Sequence, residues 1–178
     1  DRVRNDVFIF LRHVGKEGSA YRKAMEDTVF QITNARLLSR VIESIENITS
    51  DGADMMGDVY EYMLGIMAAS GTNGQFRTPR HIIRMMVELM RPTLNDTICD
   101  PAMGSAGFIM EAAKFITEHQ SDDLLNIGEG DRFRKEIFHG SDSDASMLRI
   151  GCMNMMLHDV DEPNLYYRCL LYTSDAAD

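Results

Sequence analysis

Residues 97–108 read TICDPAMGSAGF, an apolar run that ends in an acid and continues through a glycine-rich turn. The pattern predicts a strand over residues 97–100 and a helix over residues 105–118, with a loop between them. Ligands of open α/β sheets bind at the carboxyl ends of the strands, which makes this loop a candidate binding site. Gly104 would let a ligand approach the backbone, and Gly107 would allow close packing at the helix start.

The chemistry of this loop does not fit a phosphate. Asp100 carries the wrong charge for a phosphate and suits a ligand that offers hydrogen-bond donors or a positive charge. Ala106 stands two positions after Gly104, so the dinucleotide pattern G-x-G-x-x-G is absent, and no Walker A sequence (Gly-Lys-Ser/Thr) occurs in the chain. By itself, such a turn is as compatible with ordinary tight-turn geometry as with a ligand site.

Two further strands and a second helix are predicted downstream. The strands cover residues 136–140 and 164–168, and the helix between them covers residues 144–157. The polar stretch at 120–135 is predicted to be a surface loop. Alternating strands and helices are typical of an open parallel sheet, so the predicted fold class is α/β.

Asp142 follows the second predicted strand, where an acid can accept both hydroxyls of a ribose. Its separation from Asp100 is longer than the roughly 20 residues of the dinucleotide pattern, and the polar stretch between them could absorb the difference. The alternative is structural: Asp142 would be merely solvated, and Asp144 would cap the following helix.

The residues upstream of the sheet read as amphipathic helices. Helical spacing begins near Val3, resumes after the cap residue Asn34, begins again near Asp54, and resumes after Pro79. Their methionine and aromatic stripes are interpreted as core packing rather than as a cofactor site. The helix after Asn34 is expected to bury one apolar stripe, made of Leu37, Leu38, Val41, Ile42 and Ile45.

The segment GQFRTPRH at residues 74–81 is a second candidate for ligand contact. It joins a glycine, a flat aromatic ring, a hydroxyl and a proline that opens a helix, which together could cover a ligand. Helix N-termini attract carboxylates, and Arg77, Arg80 and Arg84 form a small basic cluster in an acidic chain. A helix entry with a solvated basic face is the alternative.

Composition bounds the remaining possibilities. The chain has 178 residues, of which 44% are hydrophobic, and a net charge of −10. The net charge is +1 over residues 1–50, −4 over residues 51–120 and −7 over residues 121–178. These values exclude a disordered chain and a basic nucleic-acid-binding tail.

The cysteines and the termini indicate the compartment. Cys99, Cys152 and Cys169 lack CxxC spacing, which excludes a disulfide scaffold or a zinc knuckle and favours a reduced, cytoplasmic compartment. No apolar run approaches the roughly 18–20 residues of a membrane span, and nothing suggests a metal site. The chain begins at Asp1 without an initiator methionine, so we expect it to be part of a longer protein.

Four motifs in order carry a family resemblance over residues 1–168. They are QFxTP at 75–79, DPAxGSxGF at 100–108, GxD at 140–142 and MNMMLH at 153–158. The chain resembles the modification (methyltransferase) subunits of type I restriction–modification systems. The resemblance implies a Rossmann-like fold that uses S-adenosyl-L-methionine to methylate adenine N6 in DNA.

The resemblance also implies roles for individual residues. Residues 75–80 would hold the methionine part of the cofactor, Asp100 and the loop at 104–106 would line the same pocket, and Asp142 would bind the ribose hydroxyls. The candidate cofactor-binding residues are Gln75, Phe76, Arg77, Thr78, Pro79, Arg80, Asp100, Ala102, Gly104, Ser105, Ala106 and Asp142. Family members more often carry Gly at the position of Ala106 and Cys at that of Met103; alanine is tolerable there unless the backbone needs a positive φ.

The chain departs from the family in two places. The catalytic sequence Asn/Asp-Pro-Pro-Phe/Tyr does not occur, so no catalytic residue is assigned and the motif is expected beyond the C-terminus. The resemblance stops at Arg168, and residues 169–178 look like translated sequencing-adapter read-through; a divergent natural strand is the alternative. We therefore expect a helical segment over residues 1–70 for partner or DNA contact and a truncated cofactor-binding part of the methyltransferase domain over residues 71–168.

The partners implied by the resemblance are DNA, a specificity subunit and a restriction subunit. Delivery by partners would explain how an acidic chain acts on DNA. Two alternatives stay open: a non-catalytic or unstable binding fragment, and a small-molecule methyltransferase.

Overall fold

The computed structural model describes residues 2–14, 17–46, 60, 62–66 and 78–168, and the fold is given for these residues. Among them, no helix is long and apolar enough to cross a membrane.

A parallel three-stranded sheet carries the C-terminal half of the described chain. Its strands β1 (Ile98–Asp100), β2 (Phe138–Asp142) and β3 (Asn164–Tyr167) lie side by side in sequence order. Asp100 pairs with Gly140 and Asp142 pairs with Tyr167, so two acids lie near the same carboxyl edge. The predicted α/β fold class is confirmed, and the boundaries of all three predicted strands are within two residues of those observed.

Helices connect the strands and precede the sheet. A π-helical turn at Val3–Val7 leads directly into the first α-helix. The α-helices are α1 (Phe8–His13), α2 (Ala20–Met25), α3 (Ala35–Glu46), α4 (Arg80–Met90), α5 (Gly107–His119), α6 (Ser121–Leu124), α7 (Ile127–Lys135) and α8 (Ala145–Met156). α5 follows β1 and α8 joins β2 to β3, as the sequence predicts.

The core fills the space between the sheet and the helices α5 and α8. Ile109 and Ile116 of α5, Phe138 of β2 and Met155 of α8 are fully buried in one cluster. The spacing of Ile109 and Ile116 places both on the same face of α5, which explains why this helix packs where it does.

The N-terminal helices reach the sheet domain through α8. Tyr21 and Met25 of α2 pack around Cys152, and the Arg149 side chain donates a hydrogen bond of 2.8 Å to the Ala24 carbonyl. The Tyr60 hydroxyl lies 3.3 Å from the Ile150 carbonyl. α8 is therefore held from the sheet side and from the N-terminal side.

The predicted cap and the predicted buried stripe of α3 have different outcomes. Asn34 caps α3 as predicted, because its side-chain oxygen accepts the amides of Arg36 at 2.9 Å and Leu37 at 3.3 Å. The expected burial of the stripe on this helix is wrong for Leu37, which is 51% exposed, because periodicity identifies an apolar face and not what covers it. The side chain of Ile45 and most of the helix predicted from Asp54 lie outside the described residues, although residues 60 and 62–66 are helical.

The predicted surface loop at 120–135 is wrong, because this stretch forms α6 and α7. Phe133 anchors α7 by packing edge-to-face on Phe138, with ring centroids 5.2 Å apart. Acidic Glu129 near the start of α7 and basic residues in its last turn match the helix dipole. The sequence did not predict this helix because the stretch has low hydrophobicity, and Phe133 is its one large buried apolar side chain.

Helix α2 is absent from the sequence prediction. Its start does carry a signal, since the Ser19 hydroxyl accepts the amide of Arg22 at 3.3 Å. The helix has six residues, which is too short for a clear apolar period.

Candidate functional site

Two loops meet at the carboxyl edge of the sheet. The amide of Met103 donates to the Ser141 carbonyl at 3.0 Å, and the Ser141 hydroxyl donates to the Pro101 carbonyl at 2.9 Å. The amide of Gly104 donates to a carboxylate oxygen of Asp142 at 2.9 Å. The loop after β1 and the end of β2, predicted separately from sequence, thus form one unit.

Asp142 organises this edge with both carboxylate oxygens. One oxygen binds Gly104, and the other accepts the amide of Asp144 at 2.8 Å. Asp144 in turn caps α8 by accepting the amide of Ser146 at 2.7 Å, so the predicted cap is present. Each carboxylate oxygen can accept more than one hydrogen bond, which leaves Asp142 able to bind hydroxyl groups as well.

Asp100 lies half-buried at the end of β1. Burial raises the pKa of its carboxyl above the ordinary value, the amide of Ala102 at 3.1 Å lowers it, and the neighbouring Asp142 carboxylate raises it again. Two acids therefore share a partly desolvated edge. A cation bound there would favour the charged form of Asp100, which fits the prediction of a positively charged ligand.

Ala106 has a positive φ, which is the condition under which an alanine at this position was expected to be unfavourable. Its φ of 64° and ψ of 28° are left-handed, and its side chain is fully buried. Gly104, two residues earlier, also has a positive φ of 52°. The loop therefore needs two left-handed residues, and the alanine occupies one of them at some cost in free energy.

Met103 fixes the floor of the loop. Its side chain is 4% exposed and lies between Gly140 of β2 and Gly151 of α8. A Cβ atom at Gly140 would lie 2.3 Å from the Met103 sulfur, and one at Gly151 would lie 2.3 Å from its terminal methyl. Both glycines allow the close approach; Gly140 belongs to the predicted motif at 140–142, whereas nothing in the sequence singled out Gly151.

Asn154, which belongs to the motif at 153–158, makes a second contact that was not predicted from the sequence. Its side-chain amide donates to the Ser105 carbonyl at 2.9 Å from within α8. An amide side chain within the apolar run Met153–Met156 is the available signal, since a buried polar group needs a partner.

The start of α4 approaches the same loop from outside the sheet. Ile83 packs against the first residue of α5, since a Cβ at Gly107 would lie 3.4 Å from its terminal methyl. Thr78 and Pro79 are exposed, with Pro79 at the N-cap of α4. Gln75, Phe76 and Arg77 lie outside the described residues.

The basic cluster proposed for this segment is engaged with acids where it is described. The Arg80 side chain lies 3.8 Å from the Glu111 carboxylate of α5, and Arg84 pairs with Glu88 at 3.0 Å. The alternative reading of this face, a helix entry with a solvated basic surface, fits Arg84. Arg80 instead links α4 to the helix that follows the loop.

Two clefts lie away from the strand ends. A cleft of about 750 Å³ runs between α5, α7 and the residues after α8, and one of about 350 Å³ separates α4 from α5. The larger cleft mixes both signs of charge, since Lys114, Arg134 and Asp161 all line it. We assign the candidate site to the strand ends, because the predicted loop and the two acids converge there, although neither cleft includes Gly104 or Asp142.

The sequence profile of the N-6 DNA Methylase family matches residues 51–170. The EcoEI type I methylase subunit of Escherichia coli is 28% identical over 170 residues, covering 90% of this chain and 34% of that protein. The StySJI type I methylase subunit of Salmonella typhimurium strain LT2 is 34% identical over 176 residues, covering 90% and 33%. The chain spans about a third of the length of these curated relatives.

Solved structures show the same fold. A crystal structure of a modification subunit assigned to a type I restriction enzyme from Vibrio vulnificus YJ016 superposes with a TM-score of 0.73 at 24% identity, covering 92% of this chain and 35% of that one. A structure from work on complex assembly and conformational transition of the type I R-M system gives a TM-score of 0.67 at 25% identity, covering 94% and 35%.

Proposed function

The chain belongs to the N-6 DNA methylase family, and from this premise we propose that its sheet edge binds S-adenosyl-L-methionine for the methylation of adenine N6 in DNA. The observation that carries the proposal is the hydrogen bond from Gly104 to Asp142, which joins the two predicted ligand loops. Asp100 lies half-buried beside the Asp142 carboxylate, and a ligand with positive charge would offset the burial of its charged form.

The residues at this edge could bind each part of the cofactor. Asp142 would accept the ribose hydroxyls, and Asp100 would face the positively charged methionine part, together with the loop formed by Ala102, Gly104, Ser105 and Ala106. Residues 75–80 would cover the methionine part from the start of α4. When bound, the sulfonium supplies an activated methyl group.

We assign cofactor binding, and not the transfer step, to this sequence. The tetrapeptide Asn/Asp-Pro-Pro-Phe/Tyr, which presents acceptors and a ring to a flipped base in the family, does not occur in it. We therefore expect that this chain does not methylate a DNA duplex, either alone or with a specificity subunit added. This defines the second candidate, a cofactor-binding module without its own activity.

The partners belong to the same proposal. A chain with a net charge of −10 has little electrostatic attraction for DNA, which supports delivery of the DNA by a specificity subunit within a complex that also holds a restriction subunit. Residues 1–70 would contact partners or DNA, residues 71–168 would bind the cofactor, and the complex would work in the cytoplasm.

Equilibrium dialysis with labelled S-adenosyl-L-methionine tests the site. Asp142→Ala and Phe76→Ala should each weaken binding at least tenfold, since each removes a proposed contact. Asp161→Ala is the matched control, because it removes an equal charge from the rim of the larger cleft and should leave binding unchanged. Binding that resists both site substitutions would refute the assigned site, and no binding by the wild-type chain would refute the proposed function.

A further inference from the structure

Asn154 lies on α8, outside the set of residues expected to contact the cofactor. Its side chain is fully buried between this helix and the loop after β1. The side-chain amide donates to the carbonyl of Ser105 across 49 residues of sequence, at 2.9 Å. The contact ties the cofactor loop directly to the helix behind it.

The side-chain oxygen of Asn154 lowers the stability of the folded protein. Its side-chain oxygen is buried and has no hydrogen-bond partner among the described residues. A buried acceptor without a donor loses free energy relative to water, whereas an apolar residue would fill the same space without that loss. Cys152 and Met155, nearby on α8, are buried and apolar, as packing alone would favour. The hydrogen bond to Ser105 is therefore what the amide contributes.

Ser105 stands between the two residues that give the loop its shape. The amide of Gly104 points at Asp142, and Ala106 has the left-handed conformation at the start of α5. A donor fixed on the Ser105 carbonyl sets the plane of the peptide that joins Ser105 to Ala106. This peptide lies two peptide units after the Gly104 amide, so holding it restrains the loop next to the hydrogen bond between Gly104 and Asp142.

We infer that Asn154 is a positioning residue, which holds the loop at Gly104–Ala106 in its ligand-binding shape through the Ser105 carbonyl. The inference rests on the proposed function for the identity of the ligand. The geometry of the loop itself does not depend on that identity. Asn154 touches no ligand in this account and acts only through the loop.

Asn154→Leu separates positioning from stability. The substitution removes one buried unpaired acceptor, the Asn154 oxygen, and leaves another, the Ser105 carbonyl, so the melting temperature should change by no more than a few degrees. The affinity for S-adenosyl-L-methionine, measured by titration calorimetry, should fall at least tenfold. Amide hydrogen exchange at Gly104 and Ala106 should accelerate at least tenfold in the ligand-free protein.

The control is Met155→Ala on the same helix. This substitution leaves a cavity, so it should lower the melting temperature more than Asn154→Leu does, yet leave the affinity and the exchange of the loop amides unchanged. If Asn154→Leu does not fold, Asn154→Asp serves instead, since it keeps the shape and replaces the donor with an acceptor. It should weaken binding to the same degree.

Two results would overturn the inference: an unchanged affinity in the Asn154 variants, or unchanged exchange at the loop amides. A wild-type chain that does not bind S-adenosyl-L-methionine would instead overturn the proposed function. In that case the exchange comparison still decides whether Asn154 positions the loop.

Discussion

Ala106 occupies a position where the loop has a left-handed backbone conformation. An alanine at φ 64° pays about 1–2 kcal/mol for the left-handed conformation, which glycine adopts freely. Two effects favour alanine over glycine here. The buried methyl group stabilises the alanine form by about 0.8 kcal/mol, and a glycine would lose a further ~0.4–1 kcal/mol because it has more freedom in the unfolded chain. Loss and gain therefore nearly balance at this position.

We predict that Ala106→Gly changes the free energy of unfolding by less than about 1 kcal/mol, as the opposing contributions require. Ala106→Val should destabilise by more than ~2 kcal/mol, because a β-branched residue rarely adopts this conformation and the larger side chain would have to fit at a fully buried position. Urea unfolding of the two variants measures both effects. A valine variant as stable as the wild type would show that the loop does not need the left-handed residue.

Residues of the site divide by whether a sequence pattern indicates where their partners lie. Asp100, Gly104 and Asp142 were predictable, because strand ends in a parallel sheet meet at one edge and an acid or glycine there has local meaning. The contacts of Met103 and Gly151 were not predictable, because they depend on how closely α8 packs on the loop, and Asn154 carries only the general signal of a buried polar group that needs a partner. Neither a methionine nor a helical glycine carries a local signal for such a contact.

At the scale of elements, α8 packs tightly against the loop after β1. A Cβ at Gly151 would lie 2.3 Å from the Met103 methyl group and 3.0 Å from the Gly104 carbonyl, which is backbone and cannot swing aside. α8 therefore approaches the loop as closely as a glycine allows.

Gly151→Ala is predicted to destabilise the protein by about 1–3 kcal/mol through overpacking. Gly128→Ala on α7 is the matched control, because a Cβ there meets nothing within 4 Å and alanine favours a helix by up to ~1 kcal/mol. Adding Met103→Ala should recover part of the Gly151→Ala loss, giving a coupling of about 1 kcal/mol or more in a double-mutant cycle by chemical denaturation. Strict additivity of the two substitutions would contradict the contact.

Elements with a long apolar period were predictable, and short or polar ones were not. α5 and α8 were located from their apolar spacing, since each packs a continuous face on the sheet. α6 and α7 escaped because few apolar residues anchor them, and α2 escaped because six residues are too few for a period. Tertiary contacts decide such elements, and those contacts are not visible locally.

At the scale of the whole molecule, the N-terminal helices and the sheet domain share a buried thiol. Burial raises the pKa of Cys152 to about 12 and that of Tyr60 to about 12, and it also raises the pKa of Tyr21. In the unfolded chain these groups ionise near their ordinary values, about 8.5 for a thiol and about 10 for a phenol. The protein should therefore be fully stabilised by Cys152 below about pH 8.5 and lose that contribution as the pH rises toward 12.

We predict that the free energy of unfolding falls from pH 8 to pH 11, with a contribution from Cys152 of at most about 3 kcal/mol, since the folded thiol stays protonated over this range while the unfolded thiol ionises. Cys152→Ala should flatten this fall, although it also removes buried atoms and lowers stability at pH 7. Urea unfolding at a series of pH values gives the slope for each protein. Equal slopes for the variant and the wild type would show that Cys152 is not shielded by the N-terminal helices.

The account of the whole molecule depends on where the cofactor binds. The most direct measurement is a titration of ¹⁵N-labelled protein with S-adenosyl-L-methionine, followed through assigned amide resonances. We expect the largest shifts at Gly104, Ser105, Ala106 and Asp142, and no shift of the amides of Lys114 and Arg134 in the larger cleft. Shifts concentrated in that cleft, or no shifts at saturating cofactor, would contradict it.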